Sequence, residues 1–308
     1  MKLKFLLLGC IAAGIGLSSC NLDSDENDNY MNGQYSCCNL VIPSEGGDAF
    51  ATRANYTMSF YYLNGTATLT TNNLSLGYGN LAFTTNAMST ETKLYDVNGK
   101  TLDVTSFSGG KASDNGVTVT NLKGYLSSIF NVLSTNDPIN PAYKFTAMIP
   151  IIASYNVNYD YTVKTFMSDA IYTGTTNIHT VGSTADPFTN DGIRYRVVMS
   201  TDLKKADIIF YNAKFADRMP VTINFVLQNL DVTFNKSGYI ISGKNLIPQL
   251  YEATGLTPAP NYEVTDFQFI NTSDDLTVGT AMYTVSMGGA QYNGDFQGYY
   301  ALTGPVEK

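Results

Sequence analysis

The chain has 308 residues, 44% hydrophobic and 14% charged, which is enough apolar content to bury a core and too little charge for a disordered tail. Asp and Glu outnumber Lys and Arg 26 to 18, a net charge of −8, so the surface is a poor counterion for phosphate and nucleic acid is not expected as a partner. No Trp, one His and four Cys argue against a His-rich metal site and against a disulfide scaffold; no cofactor is expected.

Residues 1–19 read as an export signal. Lys2 and Lys4 form a basic start, and Phe5 to Leu17 form an apolar stretch too short to span a bilayer comfortably. The stretch closes on Leu17-Ser18-Ser19-Cys20, which looks like a bacterial lipobox: a branched apolar residue, two small residues, then Cys. Such a signal implies that the Cys20 thiol carries a diacylglyceryl group and that cleavage leaves Cys20 at the amino end. Several acyl chains, at about 0.8 kcal/mol per buried CH₂, make a stable anchor. The competing reading is an ordinary signal peptide with Cys20 incidental. The mature chain then has 289 residues and a charge of −10.

Residues 20–32 follow as an acidic, flexible tether, Asn21-Leu-Asp-Ser-Asp-Glu-Asn-Asp-Asn29, which cannot bury itself. Asp23, Asp25 and Asn27 alternate as in a calcium loop. Asp28 stands where that loop needs Gly, however, and Gln34 where it needs a bidentate Glu.

Beyond the tether, period-two alternation dominates and predicts an all-β fold. One strand is expected over 155–163, with Tyr155, Val157, Tyr159, Tyr161 and Val163 on one face. Val221, Ile223, Phe225 and Leu227 share a face, as do Tyr292, Gly294, Phe296, Gly298 and Tyr300. Two segments have helical spacing instead, 124–133 and 246–253, and each precedes a proline pair: Pro138 and Pro141, Pro258 and Pro260. Tyr35 to Val41 aligns with Tyr172 to Ile178, Tyr56 with Tyr195, Leu63 with Leu203, and Tyr143 with Tyr262. This order predicts two homologous β-domains, 33–168 and 169–304, each with a short helix, the first longer around 86–116. A single large sandwich is the alternative.

The second half resembles the calycin-like β-barrel domains of Bacteroidetes lipoproteins of unknown function. The residues that carry the likeness are Phe210-Tyr-Asn-Ala-Lys-Phe215, Met219-Pro-Val-Thr-Ile223, Tyr239-Ile-Ile-Ser-Gly243 with Ile247-Pro248, and Gly294-Asp-Phe296-Gln-Gly298. It covers roughly 169–303, with a fainter echo in 30–168. The acidic stretch after Cys20 is similar to the one that directs such lipoproteins to the cell surface. The resemblance implies two tandem antiparallel barrels at the bacterial outer membrane. A closed barrel leaves either a small ligand cavity or, with this many Tyr, Phe, Met and Leu, a filled core.

Catalytic patterns are sparse. His179 lies in a polar stretch with no nearby nucleophile motif, and no Gly-x-Ser-x-Gly, His-Glu-x-x-His or phosphate-cradling Gly loop occurs. Cys37 and Cys38 are adjacent and should point to opposite faces, as apolar fillers or free thiols rather than a strained vicinal disulfide. Asp274-Asp275 reads as turn charge, with a glycosidase pair as the alternative. Tyr61-Tyr62 and Tyr299-Tyr300 put one ring on each face, for interdomain packing or for a sugar or protein partner. Arg194 and Arg196 share a face and are expected to pair with Asp207. The expected role is a non-enzymatic, membrane-anchored binding or interaction module, with a glycan, a small apolar ligand or a protein as partner. A fimbrillin-like adhesin subunit cleaved after Arg53, and a glycan or peptide hydrolase, are the alternatives.

Overall fold

The computed structural model describes residues 33–61, 65–77, 79–97, 100–114, 116–127, 151–252, 255–272, 276 and 278–300. Nine strands precede residue 167: β1 (Gly33–Pro43), β2 (Phe50–Tyr61), β3 (Thr66–Ser75), β4 (Asn80–Thr84), β5 (Met88–Val97), β6 (Lys100–Asp114), β7 (Val117–Ser127), β8 (Ile151–Val157) and β9 (Tyr161–Phe166). Ten follow: β10 (Asp169–Thr180), β11 (Phe188–Met199), β12 (Lys205–Ala213), β13 (Ile223–Phe234), β14 (Tyr239–Leu246), β15 (Gln249–Glu252), β16 (Gly255–Pro258), β17 (Val264–Asn271), β18 (Val278–Met287) and β19 (Ala290–Tyr300). No helix among the described residues is long and apolar enough to cross a membrane.

All pairings are antiparallel, and each set closes into a ring of eight. In the first, the order is β2-β1-β9-β8-β7-β6-β5-β3, and β3 returns to β2; β4 is an extra strand on β3. In the second, the order is β12-β11-β10-β19-β18-β17-β14-β13, and β13 returns to β12; the β15–β16 hairpin hangs on β13. Both are up-and-down meanders closed by their first and last ring strands, so the expectation of two tandem antiparallel barrels holds. Closure removes the unpaired edges that would otherwise invite aggregation.

An eight-stranded barrel is just wide enough for side chains to fill. The second barrel is filled by rings: Tyr195 lies 3.9 Å from Phe296 and 4.4 Å from Phe210, and Phe210 stacks on Phe225 at 4.2 Å. Glycines opposite these rings make the fit. Gly294 pairs with Tyr283 across β19 and β18, and a Cβ on Gly294 would overlap the Tyr283 ring. The alternation Tyr292, Gly294, Phe296, Gly298 is thus the inner face of β19, buried throughout. In the first barrel Phe83 meets Tyr155 edge-on at 5.6 Å, within a core that includes Met58, Leu69 and Phe107.

The register sharpens the repeat. Tyr35 lies opposite Tyr56, and Tyr172 lies opposite Tyr195. Ala67 faces Phe60 as Ala206 faces Met199, so the offset of 139 that links Tyr56 to Tyr195 continues into the third strand. The alignment through Leu63 and Leu203 is therefore one residue out of step. The longer middle of the first half is the β5–β6 hairpin, whose second strand has 15 residues where β14 has 8.

Three expectations are corrected. Residues 246–252 form the end of β14 and then β15, not a helix, because Leu250 and Tyr251 gain a ladder with β16 and cross-strand packing. Residues 124–127 belong to β7, and 128–133 lie outside the described residues. The only helical turn among the described residues is the 3₁₀ segment Pro260–Tyr262. The proline segments also sit in different connections, 128–150 between β7 and β8 and 247–263 between β14 and β17, so they are not equivalent parts of a repeat. Finally, 155–163 is a hairpin. Asn158 and Tyr159 take positive φ values of 52° and 62°, and Asp160 donates its amide to the Val157 carbonyl at 3.1 Å. Tyr159 is consequently 75% exposed, while Tyr155, Val157 and Val163 are buried.

Candidate functional site: a cleft at the far mouth of the second barrel

The first barrel's outer wall covers one end of the second barrel. Phe166 on β9 packs 5.9 Å from Phe234 and 5.4 Å from Tyr239, beside the β13–β14 turn. Arg53 on β2 donates from Nε to the Thr201 carbonyl (2.9 Å), from Nη2 to the Ser200 carbonyl (3.0 Å) and from Nη1 to Ser168 Oγ (3.3 Å). Lys236 Nζ donates to the Gly46 carbonyl at 3.4 Å. Arg53 is thus engaged in mid-strand, its backbone paired with Cys38.

The opposite end is open. There the loops 181–187 and 214–222 rise above a floor of Ile178, Phe188 and Phe215 and enclose a cleft of about 310 Å³. The rim carries Thr180, Ser183, Asp186, Asp217 and Arg218. Each loop is fixed locally. Ser183 donates its amide to the Thr180 carbonyl, and its Oγ accepts the Ala185 amide at 3.1 Å. Asn190 reaches up from β11 with Nδ2 donating to the carbonyls of Asn212 (3.2 Å) and Lys214 (3.3 Å). Lys214 Nζ stands 5.5 Å from the centre of the Phe188 ring and 3.8 Å from Asp217 Oδ1. The rim therefore offers carboxylate acceptors, a guanidinium donor and hydroxyls over an apolar floor, with its charges close to balance.

Inside the barrels the polar groups form two equivalent triads. In the first, Tyr56 Oη donates to Asn39 Oδ1 at 2.9 Å and lies 2.6 Å from Tyr155 Oη. In the second, Tyr195 Oη lies 3.2 Å from Thr176 Oγ1 and donates to Tyr283 Oη at 3.2 Å. Each triad joins ring strands one, two and seven. A further network closes the covered end of the second barrel: Asn271 Nδ2 donates to Tyr172 Oη (2.7 Å), to Tyr239 Oη (3.3 Å) and to the Leu276 carbonyl (2.7 Å). Burial pushes Tyr56 and Tyr195 well above the ordinary phenol range, and pushes Tyr239 and Tyr283 up to about 12.

The sequence-derived candidates scatter. His179 is exposed on β10 opposite Asn293 and does not line the cleft. Cys37 and Cys38 are both free and buried, on opposite faces of β1. Burial, then the Cys38 charge, holds Cys37 well above the usual thiol range. Burial raises Cys38, against the opposing influence of Arg53 and Ser168. Arg196, also buried, forms a bidentate pair with Asp169: Nε to Oδ1 at 2.7 Å and Nη2 to Oδ2 at 2.5 Å. Asp207 shares this face of the sheet, lies opposite Val198 and accepts the Asn229 amide. Arg194 sits over the Tyr211 ring at 5.4 Å. Tyr61, Tyr299 and Tyr300 are placed by strand register only, opposite Thr66, Val278 and Tyr172. Cys20, the tether, Tyr62, Asp274 and Asp275 lie outside the described residues. Among the described residues, no group of three or more His, Cys, Asp or Glu could hold a metal ion.

Sequence reasoning missed the cleft and the triads. The alignment of Asn39 with Thr176 and of Tyr56 with Tyr195 held the signal for the triads. The cleft residues have no motif, because two loops bring them together.

No protein-family model matches the chain, and no curated protein matches it. Among solved structures, a "putative outer membrane protein" from Bacteroides fragilis is 12% identical, with 87% of this chain and 97% of that chain covered, at a TM-score of 0.32.

Proposed function

We propose that the protein is a lipoprotein of the bacterial outer membrane, exposed at the cell surface, and that it acts as a non-enzymatic binding module whose site is the far-mouth cleft. The observation that carries the reading is Leu17-Ser18-Ser19-Cys20 at the close of a basic-then-apolar leader, followed at once by an acidic tether. Tightly packed barrel interiors favour binding at a mouth rather than inside. The cleft's balanced charges, paired acceptors and donors, and apolar floor suit a neutral, polyhydroxylated ligand such as a saccharide, whose hydroxyls can use both Asp186 or Asp217 and Arg218.

The test has two arms. Cells grown on tritiated palmitate should label the wild-type protein and not Cys20→Ala, and protease added to intact cells should degrade it. An unlabelled wild type, or full protection, overturns the anchoring and exposure. Soluble oligosaccharides should shift the NMR resonances of Thr180, Ser183 and Phe188; no shift with any neutral sugar at millimolar concentration overturns the ligand class.

A further inference from the structure

The two triads differ in one respect. In the second barrel, Thr176 has a single hydroxyl, and Tyr195 engages it at 3.2 Å. The residue opposite Thr176 is Asn190, whose Nδ2 is taken up by two loop carbonyls. Thr176 Oγ1 and Asn190 Nδ2 thus both have protein partners. In the first barrel, Asn39 replaces Thr176 in the alignment and brings a second polar atom. Its Oδ1 accepts from Tyr56, but Nδ2 has no partner. The residue opposite Asn39 is Thr52, and its Oγ1 is also buried without a partner. Asn39 is fully buried.

These two orphans are on the same face of neighbouring strands. Directly opposed residues have Cβ atoms about 4.5–5.5 Å apart, so both polar ends can reach one small guest between them. Leaving an amide and a hydroxyl unmet in a core costs about 1–3 kcal/mol each, more than fixing one water, at about 0–2 kcal/mol. A carboxylate or ammonium guest would have to shed its hydration with no opposite charge beside it, which is far costlier. Cys37 lies two residues before Asn39 on the same face of β1.

We propose that the first barrel holds one internal water between strands β1 and β2, accepting from Asn39 Nδ2 and donating to Thr52 Oγ1. The second barrel has no equivalent site, because its own backbone occupies that role. The water couples the triad of Asn39, Tyr56 and Tyr155 to β2 beyond Tyr56.

Water–protein cross-relaxation NMR on the full chain tests this. The Asn39 side-chain amide should show a cross-peak to a long-lived water. Asn39→Thr, which copies the second barrel and keeps an acceptor for Tyr56, should abolish the site while the chain stays folded. Thr52→Val should weaken the water contact at Asn39 and leave the Tyr195 triad unchanged; it serves as the readout if Asn39→Thr does not fold. A wild-type spectrum with no water contact at Asn39, or a high-resolution map with Asn39 Nδ2 bonded directly to Thr52 Oγ1, overturns the proposal.

Discussion

Tyr56, Tyr155, Tyr195, Tyr239 and Tyr283 are fully buried or nearly so, and burial raises each phenol above its ordinary value near 10. The sign of the consequence follows from proton counting. Below pH 10 both folded and unfolded chains keep these protons. Above it the unfolded chain releases them while the folded chain holds them, so stability falls as pH rises. The loss runs at about 1.4 kcal/mol per pH unit per tyrosine until the folded value is passed, about 12 for Tyr239 and Tyr283. Stability should therefore begin to fall near pH 9, where the unfolded chain also releases the Cys37 and Cys38 thiol protons that burial holds in the folded chain, and drop steeply above pH 10. The tyrosinate absorbance assigned to a buried phenol, read as wild type minus Tyr239→Phe, should appear together with the loss of β-sheet circular dichroism in one transition. A difference signal that runs ahead of the dichroism would show that Tyr239 titrates in the folded barrel. Tyr56 and Tyr195 were legible in the sequence as markers of a repeat. Their hydroxyl partners were not, because Tyr155 and Tyr283 lie 99 and 88 residues away in the chain.

At the scale of strands, alternation identified most faces correctly, and it failed where a turn kept the same parity. Tyr155 and Val163 both face inward, so the pattern passes unbroken through 158–160 although the chain reverses there. Asn158-Tyr159-Asp160 lacks the glycine that usually marks such a reversal. At 246–252, i,i+4 apolar spacing competed with pairing to β13 and β16, and pairing won. Propensity is a weak prior beside tertiary contacts. Asp169 as a partner of Arg196 was not legible for a related reason: sequence shows which residues share a face, but not which of two flanking strands supplies an acid. That pair makes a clean test. Arg196 is 2% exposed and Asp169 is 18% exposed, whereas the Lys205–Asp231 pair lies at 43% and 71%. Removing one partner of the buried pair strands a charge. Asp169→Ala should cost about 3 kcal/mol or more in urea unfolding, and Asp231→Ala under about 1 kcal/mol. Equal losses would mean that solvent reaches Arg196.

At the scale of the whole molecule, two similar rings are joined end to wall. The tandem arrangement was legible, since the paired tyrosines and their offsets run through both halves. The seam was not, because Arg53, Ser168, Phe166 and Tyr239 have no local pattern that marks them as neighbours. Arg53 spans it with two hydrogen bonds to the β11–β12 turn and a third to Ser168 on the segment that joins the barrels. Arg53→Ala should leave both barrels folded and speed amide exchange at the β11–β12 turn, 200–204, by about tenfold if about 1.4 kcal/mol of local stability is lost. Unchanged exchange there would place the strength of the seam in Phe166 and its ring neighbours alone.

Cys37 and Cys38 extend this to a measurement the protein already carries. One sulfhydryl looks into the first ring and the next looks into the joint between rings. A maleimide added to the native chain thus meets two clocks one residue apart. The Cys38 clock keeps time with the parting of the two halves, and the Cys37 clock with the breathing of a single ring. Loosening the joint by Arg53→Ala should quicken the first and leave the second unmoved.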